Sequence, residues 1–132
     1  MSQDVEKRFN GYPNHVRPQM LELRNLILEI AINDNEIDFK EESLKWGEPS
    51  FVTNSSGSTL RIDWKKKHDD KISLYVNCNT KLISIFKELY PDDFEYVGNR
   101  ELQIPLNGKY SKIKLSKCIE MVLKYNLIKD KF

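Results

Sequence analysis

Apolar residues recur along this chain with two different periods, and the changes of period mark its elements. Val16, Met20, Leu23, Ile27 and Ile30 fall at helical spacing and predict a long amphipathic helix running to about Asn33. Asn14 is placed to cap it, and Pro18 sits in the first turn, where a missing N–H costs little. A shorter helix is predicted before it, over Asp4 to Phe9, ending near Gly11 and Pro13. The period then falls to two. Leu44 and Trp46 alternate with polar residues, Gly47-Glu48-Pro49 turns or kinks the chain, and Phe51 and Val52 extend it. Thr53 to Ser58 reads as a turn. Leu60, Ile62 and Trp64 share one face of the next strand, with Thr59, Arg61 and Asp63 opposite. After a turn at His68-Asp69-Asp70, Ile72, Leu74, Val76 and Cys78 share a face, with Ser73, Tyr75 and Asn77 opposite.

Helical spacing returns at Leu82, Ile83, Phe86 and Leu89, with Thr80 as cap and Tyr90-Pro91 as stop. Strands around Phe94–Val97 and Glu101–Pro105 flank the tight-turn pair Gly98-Asn99. A last helix over about Lys112 to Leu127 presents Leu115, Ile119, Val122 and Asn126 as a stripe. The predicted architecture is a two-layer α+β domain over residues 1–132. It has an antiparallel sheet of about five strands with helices on one face, in the order α-β-β-β-α-β-β-α.

Composition narrows the picture without naming a role. The chain has 132 residues, 39% hydrophobic and 31% charged, which suits one globular core. No segment approaches the roughly 20 apolar residues of a membrane span. The first residues carry no apolar leader core, so a cytoplasmic chain is expected, with Cys78 and Cys118 kept as thiols. The net charge of +1 predicts no strong polyanion partner. That charge is unevenly spread: residues 1–56 hold ten acids against six bases, and residues 57–132 ten acids against fifteen bases.

Leu44-Lys-Trp-Gly-Glu-Pro-Ser-Phe51 resembles the W-G-x-P-S-[FY] signature of the YdhG-like family, a domain of unknown function. Supporting matches run in order along nearly the whole chain. They are Tyr12-Pro13, Leu23-Arg24 with Leu26-Ile27, Leu60-Arg-Ile-Asp-Trp-Lys65, Cys78-Asn-Thr80 and Gly98-Asn-Arg100. The resemblance implies a small α+β fold similar to frataxin. In one branch it implies an iron chaperone. It carries no catalytic residues with it.

Three constellations could bear function. Arg61, Asp63, Tyr75 and Asn77 are predicted on the polar side of adjacent strands. If Trp46, Glu48 and Arg100 approach that side, a polar pocket for a small ligand results; an exposed sheet face with cross-strand ion pairs would use the same residues. Asp34, Glu36, Asp38, Glu41 and Glu42 place five carboxylates in nine residues. Such oxygen ligands suit iron, and equally suit a solvated helix-to-strand connection. An enzyme acting on a polar small molecule would need Glu48, Arg61, Asp63 and Arg100 to converge. Neither His15 nor His68 has metal-motif spacing, both cysteines are read as small core residues, and no phosphate-binding glycine loop is present. Lys65-Lys66-Lys67 with Lys71 makes a basic hairpin tip, diluted for nucleic acid by Asp69 and Asp70. The expected role is a non-enzymatic module binding a small molecule or protein, with the iron carrier and the enzyme as alternatives.

Overall fold

The first helix forms because its ends are chemically matched. The computed structural model describes residues 1–132, and in it α1 spans Gln3–Asn10. Ser2 Oγ accepts from the Val5 N–H at 3.3 Å, acids occupy the first turn and bases the last, and Val5 and Phe9 are buried. Helix α2 spans Arg17–Asn33 with Pro18 in its first turn. Asn14 does not cap it. The Pro13 carbonyl accepts from the Val16 and Arg17 N–H groups instead, and Asn14 Oδ1 accepts from the Arg17 side chain. Val16, Met20, Leu23 and Ile27 are buried as expected, and Ala31 rather than Ile30 completes the stripe.

Six strands follow, one more than predicted. The Gly47 region is not a kink within one strand but a two-residue hairpin turn between β1 (Phe39–Lys45) and β2 (Glu48–Thr53). Trp46 and Gly47 both take positive φ, 56° and 75°, the pattern of a tight turn whose twist matches its strands. The next elements are β3 (Leu60–Asp63), β4 (Lys71–Tyr75), α3 (Leu82–Leu89), β5 (Glu95–Val97) and β6 (Glu101–Pro105). The chain closes with α4 (Lys112–Leu123) and the single turn α5 (Tyr125–Ile128). The sheet order is β1-β2-β3-β4-β6-β5, and every neighbouring pair is antiparallel.

Period-two alternation divides the sheet. Phe51, Leu60, Ile62, Ile72, Leu74, Leu102 and Ile104 join α2, α3 and α4 residues in one hydrophobic core. Trp64 is half-buried, meeting His15 edge-on and donating from Nε1 to the Asp69 carbonyl. Two cysteines were expected in the core, and one is there. Cys118 is buried in α4, but β4 ends at Tyr75, so Cys78 lies beyond the strand and is exposed.

The turn at residues 53–58 grips the end of α4. Ser58 N–H donates to the Val122 carbonyl and Ser56 Oγ to the Leu123 carbonyl, both at 2.9 Å. These bonds occupy the last helical carbonyls, so the predicted helix to Leu127 breaks at Lys124. Asn126 is exposed rather than part of the apolar stripe, and its N–H donates to the Ser56 carbonyl. Only glycine fits at 57: a Cβ there would stand 2.2 Å from the Leu123 carbonyl carbon and oxygen. Gly57→Ala is therefore expected to cost about 3 kcal/mol, because backbone cannot move aside as a side chain could. Urea denaturation of the variant beside the parent measures it. Trp46→Asn is expected to do the reverse. Trp46 is 90% exposed and left-handed, so asparagine should relieve strain and raise stability by about 1 kcal/mol on the same assay.

Candidate functional site

Strand register assembles a row of side chains on the sheet face turned away from the core. Ser43 pairs with Ser50, Ser50 with Arg61, Arg61 with Tyr75, Tyr75 with Glu101, and Glu101 with Val97. One step along, Asp63 pairs with Ser73, Ser73 with Gln103, and Gln103 with Glu95. The alternation of β3 and β4 predicted Arg61, Asp63 and Tyr75 together here, and they are together.

Two carboxylates on this face are buried, Asp63 at 5% and Glu48 at 9% exposure. Each is answered by cations, as burial of charge requires. Asp63 Oδ1 accepts from Arg8 Nη2 at 2.7 Å and from the Tyr12 hydroxyl at 2.6 Å. Arg8 also donates from Nε to the Gly47 carbonyl and lies over the Tyr12 ring. Burial, and then the Asp63 charge, raises the Tyr12 phenol well above its ordinary range. Asp63 is thus committed to holding α1. Glu48 lies 3.6 Å from both Arg61 Nη1 and Lys65 Nζ. Burial pushes its carboxyl up, and the Arg61 charge opposes that shift.

Two clefts open on this face. The first, of about 240 Å³, lies between Lys45, Thr59, Arg61, Asn77, Cys78 and Arg100. The second, of about 270 Å³, has Ser73, Tyr75 and Gln103 at its floor. Lys65, Lys67, His68 and Lys71 stand along one side of it, with Arg100 and Glu101 on the other strand. Arg100 belongs to both clefts. Glu101 accepts from Ser73 Oγ at 2.6 Å and from Gln103 Nε2 at 3.1 Å. Lys71 pairs with Glu95, and Lys65 Nζ lies 5.1 Å from the Tyr75 ring centroid. The arrangement offers cations, hydrogen-bond donors and one aromatic face, the equipment for holding a polar molecule.

Of the seven residues predicted for a ligand site, Arg61, Asn77 and Arg100 meet in the first cleft, and Tyr75 joins Arg100 in the second. Glu48 stands behind Arg61 and Lys65 as their counter-charge. Asp63 is turned to α1 and lines neither cleft, so the four residues that an enzyme reading required do not converge. Trp46 is at the hairpin tip and lines neither cleft. Lys45, Thr59, Ser73 and Gln103 were not among the predicted site residues, and the lysines of the β3–β4 turn were read only as a basic hairpin tip. The Glu101/Gln103 alternation was visible in sequence, but the β4–β6 pairing that brings it beside Ser73 was not.

The five acids between residues 34 and 42 disperse. Asp34 and Glu36 share Lys124 at 2.8 and 3.3 Å. Asp38 accepts from the Ser55 and Ser56 N–H groups and from Ser55 Oγ. Bonds from Ser56, then Ser55, hold its carboxyl far below the ordinary carboxylate range. Glu42 takes both donors of a fork from Arg24 at 2.6 and 2.8 Å. Glu41, its neighbour in β1, is exposed. No three histidine, cysteine or acidic side chains come together as a set that could hold a metal ion. No helix is long and apolar enough to cross a membrane.

No family profile matches the sequence, and no curated protein matches it either. A solved structure does. It is the crystal structure of a DUF1801-family protein, YdhG, from Bacillus subtilis, superposing with a TM-score of 0.66 over 96% of this chain and 89% of that one, at 17% identity. This chain has the YdhG-like fold. The α+β architecture implied by the Trp46-to-Phe51 segment is thereby established, while an identity this low leaves the chemistry to be argued from the chain's own residues.

The two thiols of this chain differ in a way that can be measured. Burial pushes the Cys118 thiol up to about 12, whereas Cys78 is exposed at the first cleft. A neutral maleimide should therefore add once to the native protein and twice after denaturation, counted by intact mass.

Proposed function

We propose that this chain is a binding module for a small polar ligand, seated across the two clefts that meet at Arg100 on the open face of the sheet. One observation carries the reading: the polar row of the sheet is concave on both sides of a single shared arginine. A sheet face that serves only solubility spreads its charges as cross-strand pairs. Here Lys45, Lys67 and Arg100 have no acidic partner, while the acids nearby are spent on other cations or on neutral donors. Rigid strands position the floor and a short turn, Lys66–His68, supplies the adaptable side. The site's groups bind and orient. No acid–base pair or activated nucleophile is assembled there, so a binding role is favoured over a catalytic one.

The test is a ligand screen by two-dimensional nitrogen–proton NMR, using mixtures of sugars, nucleosides, amino acids and their phosphates. Binders should move the signals of residues 59–61, 73–78 and 97–103 as one set, and Arg100→Ala should weaken them about tenfold or more. Binders that map instead to the α3–α4 side of the molecule would overturn the reading.

A further inference from the structure

Resting on the reading just given, we infer that the ligand is a small phosphomonoester, its phosphate held by Lys45, Arg61 and Arg100 in the first cleft and its polar remainder lying over Tyr75 in the second.

The first cleft has three cations and no carboxylate in a space of about 240 Å³. Like charges gathered this closely repel one another, and nothing in the packing of the core asks for them. Their donors are also unspent. The guanidinium groups of Arg61 and Arg100 and the ammonium of Lys45 make no hydrogen bond within the protein. The one counter-charge, Glu48, stands 3.6 Å from Arg61, beyond hydrogen-bond range. A carboxylate that close holds the arginine in place without using its fork. Two arginines with free forks and one lysine suit a tetrahedral dianion better than a single carboxylate, because each guanidinium can take two oxygens and the lysine a third. Thr59 and Asn77 add neutral polar groups at the same wall.

The second cleft differs in chemistry. Ser73, Gln103 and Glu101 provide donors and acceptors beside an aromatic face at Tyr75. A sugar or heterocycle needs those groups and a bare phosphate does not. The shared Arg100 puts the two chemistries within reach of one molecule. A nucleic-acid strand is a poorer fit: the cations gather around two short clefts rather than along a stripe, and the whole chain carries only +1.

The experiment titrates inorganic phosphate, ribose 5-phosphate, ribose and a short single-stranded oligonucleotide into the protein, followed by NMR and by maleimide addition at Cys78. Lys45→Gln and Arg100→Gln serve as variants, since both residues are exposed, and thermal melting checks that they stay folded. The expected result is saturable shifts at residues 45, 61, 77, 78 and 100 with phosphate, tighter binding of ribose 5-phosphate, and slowed maleimide addition in both cases. Each variant should weaken the phosphorylated probe by about tenfold or more while melting with the parent. Phosphate shifts that never saturate, or variants that bind as tightly as the parent, overturn the inference. Ribose binding at residues 73–75 and 101–103 with no response to phosphate overturns it too, yet leaves the small-ligand reading of the face intact. Oligonucleotide binding that exceeds the other probes and falls steeply with salt would replace it with a nucleic-acid interface.

Discussion

Two buried carboxylates on adjacent strands, Glu48 and Asp63, set the terms for much of this molecule. Neither can be ionised at low exposure without nearby compensation. Asp63 takes Arg8 and Tyr12, which draws the N-terminal helix onto the hairpin end of the sheet and ties it again through the Gly47 carbonyl. Glu48 takes Arg61 from within β3 and Lys65 from just beyond its end. Removing either partner set would strand a buried charge, a change that typically costs 3–5 kcal/mol. The helix, the first hairpin and the central strand are therefore joined by charge as well as by the apolar core beneath them.

That same arrangement decides which cations remain available. Arg61 and Lys65 are held near Glu48 but do not close on it, and Lys71 is drawn to Glu95. Lys45 and Arg100, from β1 and from the β5–β6 turn, have no acid of their own. They are brought beside Arg61 only by sheet order, since β1 and β6 stand on opposite sides of β3. A charge surplus at one place in a chain of net +1 is thus a product of topology and not of composition. It is also why binding is a better reading of the face than solubility, for a soluble face gains nothing by concentrating one sign in a hollow.

The helices were legible because period 3.6 over many residues has few alternative explanations, and α1, α2 and α3 lie where the pattern puts them. The strand β1 was harder. Lys40-Glu41-Glu42-Ser43 is too polar to read as a strand, yet such polarity is what an edge strand carries to discourage further pairing. Once β1 forms, Glu41 and Glu42 point to opposite faces, so an acidic run in sequence does not become an acidic ridge in space. Cys78 falls outside the core because the chain turns at Asn77, whose carbonyl accepts from the Thr80 N–H and whose Oδ1 accepts from the Asn79 N–H, so the alternation of β4 does not extend past Val76. Half of the site was visible as alternation in β3 and β4. The remainder depended on which strands become neighbours, a fact fixed by long-range pairing that no local pattern encodes.

The segment from Trp46 to Phe51 shows how a sequence signature can be mostly about fold and still leave a residue over. Gly47 supplies the positive φ of the turn and a carbonyl for Arg8. Glu48 is the buried counter-charge for Arg61 and Lys65. Ser50 is fully buried and donates from Oγ to the Glu48 carbonyl, and Phe51 is in the core. Trp46 alone has no such employment. It is left-handed at some conformational cost, buries almost nothing, and holds no partner inside the chain. Its indole therefore serves neither the turn nor the core. Trp46 follows Lys45 directly, at the end of β1 that borders the first cleft. The tip of the hairpin and the cationic hollow therefore belong to one continuous surface, and a ligand or partner large enough to extend past Lys45 would meet the indole next.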